Sequence, residues 1–378
     1  MPAGTITHVI NLAEKIQQIP APVLNEARRA EFVKQEFIRE GLDDVYIDKI
    51  GNVFARLPGS GSAKPLVITA HLDTVFPIET ELRLRREVNK VSGPGIGDNS
   101  IGVAGLFGLM WELTGKDSRV SGSEDVVTSL PGDIWLVANV GEEGLGDLVG
   151  MRAVVDHFDN NVTAYLILEG MALGQIYHRA LGVKRYRIEI SGPGGHSWVD
   201  YGKPSAINEL GKLIVELSGI PLKDTPRTSL NVGVVSGGTS VNTIAGHAQM
   251  ELDLRSEDEK ELIRLVSQVE QILEKAKTTQ VVVEKNLIGS RPAGDIPLDH
   301  PLVQLARSEL LKIGINPNMA IGSTDANIPL SRGLPAVCMG ITRGAGAHTP
   351  KECIYLEPLE SGLSCLVSIV RRTFEIPI

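Results

Sequence analysis

The feature that most constrains the fold is an apolar run that ends in two polar, chemically active side chains. Residues 65–77 read PLVITAHLDTVFP, so a short apolar run leads directly to His71 and Asp73. A continuous apolar run bounded by prolines predicts a strand buried on both faces, as in an α/β sheet. Ligands bind such sheets at the carboxyl ends of the strands, where these two side chains fall. One histidine at a strand end is as often structural as functional, so the rest of the chain must decide.

Two further apolar runs also end in acidic residues. Residues 133–140 predict a buried strand, and the GEEG segment that follows contains Glu142 and Glu143. Residues 164–168 predict another, and Glu169 follows it directly. A buried strand gains no stability from charge at its tip, so the repetition of this pattern favours a functional site.

Composition narrows the class of protein. A chain of 378 residues predicts two domains, and 42% hydrophobic with 22% charged residues is typical of a soluble globular protein. The net charge of -9 argues against nucleic acid as a partner. We find no signal peptide in the first residues and no apolar run long enough to span a membrane. The odd number of scattered cysteines, three in all, predicts a reducing cytoplasm.

The hydrophobic period changes near Gly182. Residues 183–191 alternate at period two, as a half-exposed strand does, whereas the runs at 66–70 and 164–168 are nearly all apolar. The segments that follow predict a β-α-β-β-α-β order, the split arrangement of ferredoxin-like domains. We therefore predict an inserted domain at 182–290 and a first domain formed by 1–181 and 291–378. The first domain has alternating apolar strands and helices, which predicts an α/β class.

The chain carries a set of imidazole and carboxylate groups at the predicted strand ends and in two glycine-containing loops. Its members are His71, Asp73, Asp98, Glu142, Glu143, Glu169 and His348. Carboxylates mixed with imidazole suit Zn²⁺ or its first-row neighbours. The set is too large for one catalytic zinc, but it suits a metal pair that shares a carboxylate, polarises a carbonyl and activates a bridging water. Neighbouring side chains diverge, so one of Glu142 and Glu143 can bind metal while the other acts as a general base.

Six motifs in order resemble the di-zinc exopeptidase and deacylase family. They are HLDTV, GPGIGDN, GEEG, Glu169-Gly170, GGHS and AHTPKE. The family includes glutamate carboxypeptidase, acetylornithine deacetylase, succinyl-diaminopimelate desuccinylase and peptidase T. The resemblance implies a zinc-exopeptidase-like catalytic domain with a central mixed sheet flanked by helices. It also implies that the inserted ferredoxin-like α+β domain is a lid that forms a homodimer.

The resemblance implies a role for each residue of the set. His71, Asp98 and Glu169 would hold one Zn²⁺, and Asp98, Glu143 and His348 the other, with Co²⁺ or Mn²⁺ as possible substitutes. Glu142 would be the general base, and Asp73 would orient His71. The family usually has a cis peptide after the shared aspartate, here Asp98–Asn99.

The resemblance also implies roles outside the metal set. His196 would reach the neighbouring subunit's active site and stabilise the oxyanion; the alternative is an ordinary turn histidine. The positions implied to lie near substrate are Asn242, Arg255, Thr324 and Asp325. Arg255 could equally be a surface arginine of a strand.

Three alternative interpretations concern the type of site, the presence of catalysis and the substrate. The GPGIG segment at 93–97 resembles a dinucleotide fingerprint, but its spacing differs and no convincing strand precedes it. A non-catalytic binding relative would be expected to have lost a ligand or the base, yet every position is filled. Within the enzyme reading the substrate stays open: a small peptide or an N-acyl amino acid, cleaved by a peptidase T-like aminopeptidase or by a carboxypeptidase or deacylase.

Overall fold

The computed structural model describes residues 3–42, 44–115 and 130–378. The chain divides into two compact units: a main unit of Met1–Arg179 with Asp295–Ile378, and an inserted unit of Ala180–Gly294. The sequence had predicted the insertion at 182–290.

In the described ranges the helices are α1 Ala3–Gln17, α2 Ala27–Arg39, α3 Ile101–Thr114, α4 Val149–Phe158, α5 Ala206–Ser218, α6 Glu259–Ala276, α7 Pro301–Lys312, α8 Asn327–Ser331 and α9 Leu359–Thr373. The strands are β1 Val45–Ile47, β2 Val53–Leu57, β3 Leu66–His71, β4 Arg85–Arg86, β5 Lys90–Ser92, β6 Ile134–Asn139, β7 Ala164–Leu168, β8 Gln175–Ala180, β9 Gly182–Ser191, β10 Gly195–His196, β11 Thr228–Gly237, β12 Thr243–Ile244, β13 His247–Ser256, β14 Val282–Arg291, β15 Gly294–Asp295, β16 Asn318–Gly322, β17 Ala336–Met339, β18 Gly344–Ala345 and β19 Cys353–Tyr355.

A mixed sheet forms the centre of the main unit, as the sequence predicted. The strands lie in the order β1-β2-β6-β3-β7-β17-β8. The central strands β6, β3, β7 and β17 are parallel, and the strands at either side pair antiparallel to them. Every residue of β3 and β7 is buried, because helices cover both faces and only apolar side chains suit such positions.

The parallel register brings the predicted functional residues to one edge of this sheet. His71, the last residue of β3, lies opposite Asn139, the last residue of β6. Glu142 and Glu143 follow β6 within four residues, and Glu169 directly follows β7. Parallel strands point their carboxyl ends to the same edge, so residues far apart in sequence meet there.

A second, small sheet in the main unit corrects the sequence analysis. Its order is β18-β19-β5-β4, and Cys353 pairs with Ser92. The expectation that no strand precedes Gly93 was wrong, because β5 ends at the residue before it. A three-residue strand is too short to show a period, and its partner comes from the far end of the chain. The strand is antiparallel, so it does not form the parallel β-α-β unit of a dinucleotide site.

The inserted unit has the predicted β-α-β-β-α-β order. Its antiparallel sheet runs β11-β13-β9-β14, and α5 and α6 both pack on it. Alternate residues of β9 and β13 are buried against these helices, which explains the period of two in the sequence. The side chain of Asp258 caps α6 by accepting a hydrogen bond from Glu261 N.

None of the helices among the described residues combines the length and the apolar character needed to cross a bilayer. The three cysteines are unpaired and buried.

Replacing Gly362 tests how tightly α9 packs beside the segment that leads to His348. A Cβ at Gly362 would lie 1.9 Å from the main-chain oxygen of Ile341. We expect Gly362→Ala to lower the free energy of unfolding by about 1–3 kcal/mol. The helix propensity of alanine, worth about 1 kcal/mol, opposes this effect. Urea denaturation measures it, with the exposed Ser364→Ala on the same helix as the control. Equal stability of both variants would contradict the close packing.

Candidate active site

The carboxylate of Asp98 lies between two histidines. Its Oδ1 is 3.0 Å from Nε2 of His71, and its Oδ2 is 3.1 Å from Nε2 of His348. The two histidines therefore face different oxygens of one carboxylate. This arrangement is what a carboxylate shared by two metal ions requires. The peptide bond Asp98–Asn99 is cis, as the resemblance implies.

Each histidine has a second carboxylate beside it. Nε2 of His348 is 3.2 Å from Oε1 of Glu143, and Nε2 of His71 is 3.7 Å from Oε2 of Glu169. Ligand atoms of His71, Asp98 and Glu143 all lie within 4.8 Å of one another. Asp98 thus lies beside both imidazoles, with Glu143 near His348 and Glu169 near His71.

Asp73 connects His71 to the Glu142-Glu143 segment. Its side chain is fully buried. Nδ1 of His71 lies 3.1 Å from the main-chain oxygen of Asp73 and 3.5 Å from its Oδ1. The carboxylate accepts hydrogen bonds from Glu142 N at 3.0 Å and from Glu143 N at 2.7 Å, one at each oxygen. One residue therefore contacts the imidazole and fixes the main chain that carries both glutamates. Burial alone would raise the pKa of Asp73, but the hydrogen bond and charge of His71, together with the two N–H groups, lower it.

Burial and neighbouring charges shift the pKa values of several residues in this site. Burial raises the pKa of Glu143 to about 7, and the charge of Asp98 adds to this. Burial likewise raises the pKa of Glu169. A hydrogen bond with Asp98 raises the pKa of His348 to about 9. Burial alone would lower the pKa of His71, but its carboxylate neighbours raise it well above the usual value.

These groups fit a pair of divalent cations. Several carboxylates are buried at one point, and only the two imidazoles balance their charge within the set. Imidazole nitrogens with carboxylate oxygens are a donor set that zinc and its first-row neighbours accept. A divalent cation would favour the charged forms of Glu143 and Glu169, whose pKa values burial now raises.

Asn99 is a site residue that the sequence analysis missed. Its side-chain nitrogen donates to the Leu168 carbonyl at 2.7 Å, and its oxygen accepts from Gly170 N at 2.9 Å. It therefore holds the main chain on both sides of Glu169. The GDN segment contained the signal, because an amide beside a metal ligand can hold main chain through both its donor and its acceptor.

Helix α2 and the residue before it contribute two further side chains that hold the main chain near the site, and the sequence analysis missed both. The buried Arg29 donates to the carbonyls of Leu72, at 2.7 Å, and Ile19. Glu26 accepts from Gly141 N at 3.1 Å, directly before the two glutamates. Burial lowers the pKa of Arg29 to about 10, and the charges of Asp73 and Glu26 oppose this. Charged residues within the amphipathic helix gave no sequence signal of their burial.

His196 is the last residue of β10 in the inserted unit and directly precedes a turn. Its Nδ1 accepts hydrogen bonds from Trp198 N at 3.2 Å and Val199 N at 3.4 Å, and its own N–H donates to Asp200 at 2.8 Å. Because Nδ1 accepts, the neutral ring carries its proton on Nε2. The exposed His196 can therefore donate a hydrogen bond without being charged.

The other predicted residues of the inserted unit lie near the surface. Asn242 is exposed, and its carbonyl accepts from Ser197 N at 3.0 Å, which connects it to the turn of His196. The guanidinium of Arg255 donates to Asp253 at 2.6 Å on the same strand. Its role toward substrate stays a prediction.

The two predicted substrate residues of the main unit differ in exposure. Thr324 is half-buried, and its N–H donates to the side chain of Asn327. Asp325 is fully buried, and its carboxylate accepts from the amide of Asn139 at 2.7 Å. A direct contact of Asp325 with substrate would require this loop to move.

Imidazoles and carboxylates gathered at the strand ends of a mixed α/β sheet define a metal-dependent hydrolase. Known proteins give the same class. Residues 52–179 match the family described as peptidase family M28, and residues 180–280 match the peptidase dimerisation domain of the M20 group.

Full-length relatives agree with these matches. Protein YqjE of Bacillus subtilis is 24% identical, over 95% of this chain and 96% of its own length. Succinyl-diaminopimelate desuccinylase of Corynebacterium glutamicum is 23% identical, over 91% and 90% respectively.

Solved structures share the fold. Aminopeptidase PepT of Bacillus cereus superposes with a TM-score of 0.77 at 23% identity, covering 98% of this chain and 99% of its own. The YxeP protein of Bacillus subtilis, described as a dinuclear metal-binding peptidase of the M20 family, has a TM-score of 0.67 at 18% identity, covering 97% and 98%. The predicted family resemblance is confirmed: the chain carries matches to peptidase family M28 and to the peptidase dimerisation domain, and it shares its fold with M20 peptidases. These findings support a metallopeptidase or amidohydrolase.

Replacing Asp73 tests its role as the support of both histidine and glutamates. The two oxygens of Asp73 accept one N–H group each, from Glu142 and from Glu143, so asparagine would lose one of these bonds and the negative charge beside His71. We expect Asp73→Asn to weaken Zn²⁺ binding about 10–100-fold, measured by competition with a chelator. Asp48→Asn is the control, because Asp48 also accepts from several backbone N–H groups, at residues 50–52. Unchanged affinity in Asp73→Asn would contradict this role.

Proposed function

We propose that the protein hydrolyses an amide bond in small peptides or N-acyl amino acids, with Glu142 as the general base. The observation that carries the proposal is the position of Asp98, with one oxygen at each of two histidines. The position of Glu142 supports the proposal further. Glu142 is buried next to Glu143, which would hold one metal ion, and its N–H donates to the carboxylate of Asp73.

Two divalent cations, Zn²⁺ or in its place Co²⁺ or Mn²⁺, complete this proposal. His71, Asp98 and Glu169 would hold one, and His348, Asp98 and Glu143 the other. When bound, such a pair polarises the substrate carbonyl and lowers the pKa of water. The dinuclear description of the YxeP protein supports a pair rather than a single ion.

The residues of the chain have separate tasks in this proposal. Glu142 takes a proton from the attacking water and delivers it to the leaving nitrogen. Asp73 keeps His71 and the two glutamates in place during this transfer. His196 of a second copy donates from Nε2 to the carbonyl oxygen as it becomes negative, which its neutral tautomer allows.

The relatives support two substrate classes. PepT is named an aminopeptidase, whereas the Corynebacterium protein removes a succinyl group by its name. We propose that Asn242, Arg255, Thr324 and Asp325 contribute to the choice between them. A panel of dipeptides, tripeptides and N-acyl amino acids, assayed with each metal, would identify the class. The unpaired cysteines support a cytoplasmic location.

Two adjacent substitutions separate the base from a ligand. We expect Glu142→Gln to lower turnover about 10²–10⁴-fold, because it removes the proton acceptor but keeps the shape. It should still bind two metal ions per chain. Glu143→Gln should lose one of the two ions under the same conditions. Metal analysis of the purified proteins, with turnover on the best substrate, measures both. Near-normal turnover in Glu142→Gln, or one ion in the wild type with excess zinc, would contradict the proposal.

The inserted unit presents a face that suits a second copy of the chain. On α5 the side chains of Ile207 and Val215 are 46% and 73% exposed, and Gly211 between them has open space above it. The neighbouring β11 is an edge strand with exposed Val234 and Val235. Edge strands and apolar stripes require cover, and the match to a peptidase dimerisation domain supports a homodimer.

Mixing two inactive variants tests whether His196 acts on the partner's site. In a mixed dimer of Glu142→Gln and His196→Ala chains, one site has both an intact base and the partner's His196. After full subunit exchange we expect recovery to about a quarter of wild-type activity, since half the dimers are mixed and each has one competent site. Mixing Glu142→Gln with a double variant lacking both groups should recover nothing, and Val215→Glu in both chains should prevent recovery. No recovery after verified exchange would mean that His196 acts within its own chain or not at all.

A further inference from the structure

We propose that Glu352 is a positioning residue that fixes Asp98 relative to His348 and thereby determines metal affinity. This inference rests on the proposed function, because it takes Asp98 as the ligand shared by two ions. Glu352 acts through the main chain of the loop that presents Asp98.

The first observation is the set of hydrogen bonds that Glu352 accepts. Its Oε1 receives the N–H groups of Gly97, at 2.7 Å, and Asp98, at 2.8 Å. Its main-chain oxygen receives Gly93 N at 2.8 Å. Glu352 is fully buried, so water does not replace these bonds when they are lost. One residue therefore holds both ends of the loop from 93 to 98.

The second observation is that Glu352 and His348 belong to the same turn. Glu352 N donates to the Thr349 carbonyl at 3.0 Å, and Thr349 N donates to Gly346 at 3.1 Å. His348 has a φ of +63°, which few residues other than glycine adopt, so this turn holds it in an unusual conformation. The turn lies between β18 and β19, and β19 pairs with β5 directly before Gly93. The position of Asp98 relative to His348 is thus defined through Glu352.

The third observation separates the shape of Glu352 from its charge. Its Oε2 is buried and makes no hydrogen bond within the described residues. Glutamine would keep the oxygen that accepts both N–H groups and would change only this second atom. Aspartate would keep the charge but withdraw the oxygen from the two donors. Alanine would leave both N–H groups buried without an acceptor.

The experiment compares Zn²⁺ affinity in these variants by chelator competition, without substrate. We expect Glu352→Ala to bind Zn²⁺ about 10–100-fold more weakly and Glu352→Gln to stay within a few-fold of wild type. Glu309→Ala is the matched control, since Glu309 is also buried and accepts from Ser368 and Lys312. It should lower the unfolding midpoint but leave Zn²⁺ affinity unchanged.

Several outcomes decide the matter. Unchanged affinity in Glu352→Ala, or an equal loss in Glu309→Ala, would overturn the inference. If Glu352→Ala does not fold, the Zn²⁺ affinities of the other two variants decide. Glu352→Gln should bind Zn²⁺ more tightly than Glu352→Asp, and the reverse order would overturn the inference. If the wild-type chain binds Zn²⁺ but hydrolyses no substrate of the panel, the proposed function is wrong, whereas the role of Glu352 in metal binding is still supported.

Discussion

The structure depends on holding several negative charges together around two imidazoles. Asp98 is the centre of this arrangement, because each of its oxygens faces a different histidine. Burial raises the pKa of Glu143, and the charge of Asp98 adds to this rise because like charges repel. A fold that keeps these carboxylates together must hold them on a rigid main chain, because contacts between side chains of like charge are repulsive.

The rigid backbone comes from polar side chains that are distant in sequence. Asp73 holds the main chain at Glu142 and Glu143, Asn99 holds it around Glu169, and Glu352 holds it at Asp98. In each case a buried oxygen or amide binds N–H or C=O groups rather than another ligand. The imidazoles and carboxylates around Asp98 can therefore face one another.

Much of this was predictable from the sequence, and the exceptions have a physical cause. The strand ends were predicted because β3 and β7 are uniformly apolar and then abruptly charged. The inserted unit was predicted because β9 alternates at period two. The small sheet was missed because β5 has three residues and pairs with β19, more than 250 residues later. Glu352, Asn99 and Arg29 were missed for a related reason: burial of a polar side chain depends on partners that no local pattern reveals.

The small sheet has a consequence for how the protein is made. A chain emerging from the ribosome presents His71, Asp98, Glu143 and Glu169 first, then the inserted unit, and after it His348 with Glu352. The inserted unit has its own core and can fold before His348 is made. In the proposed two-metal site, the position that His348 would complete can therefore be filled only after the inserted unit has been synthesised.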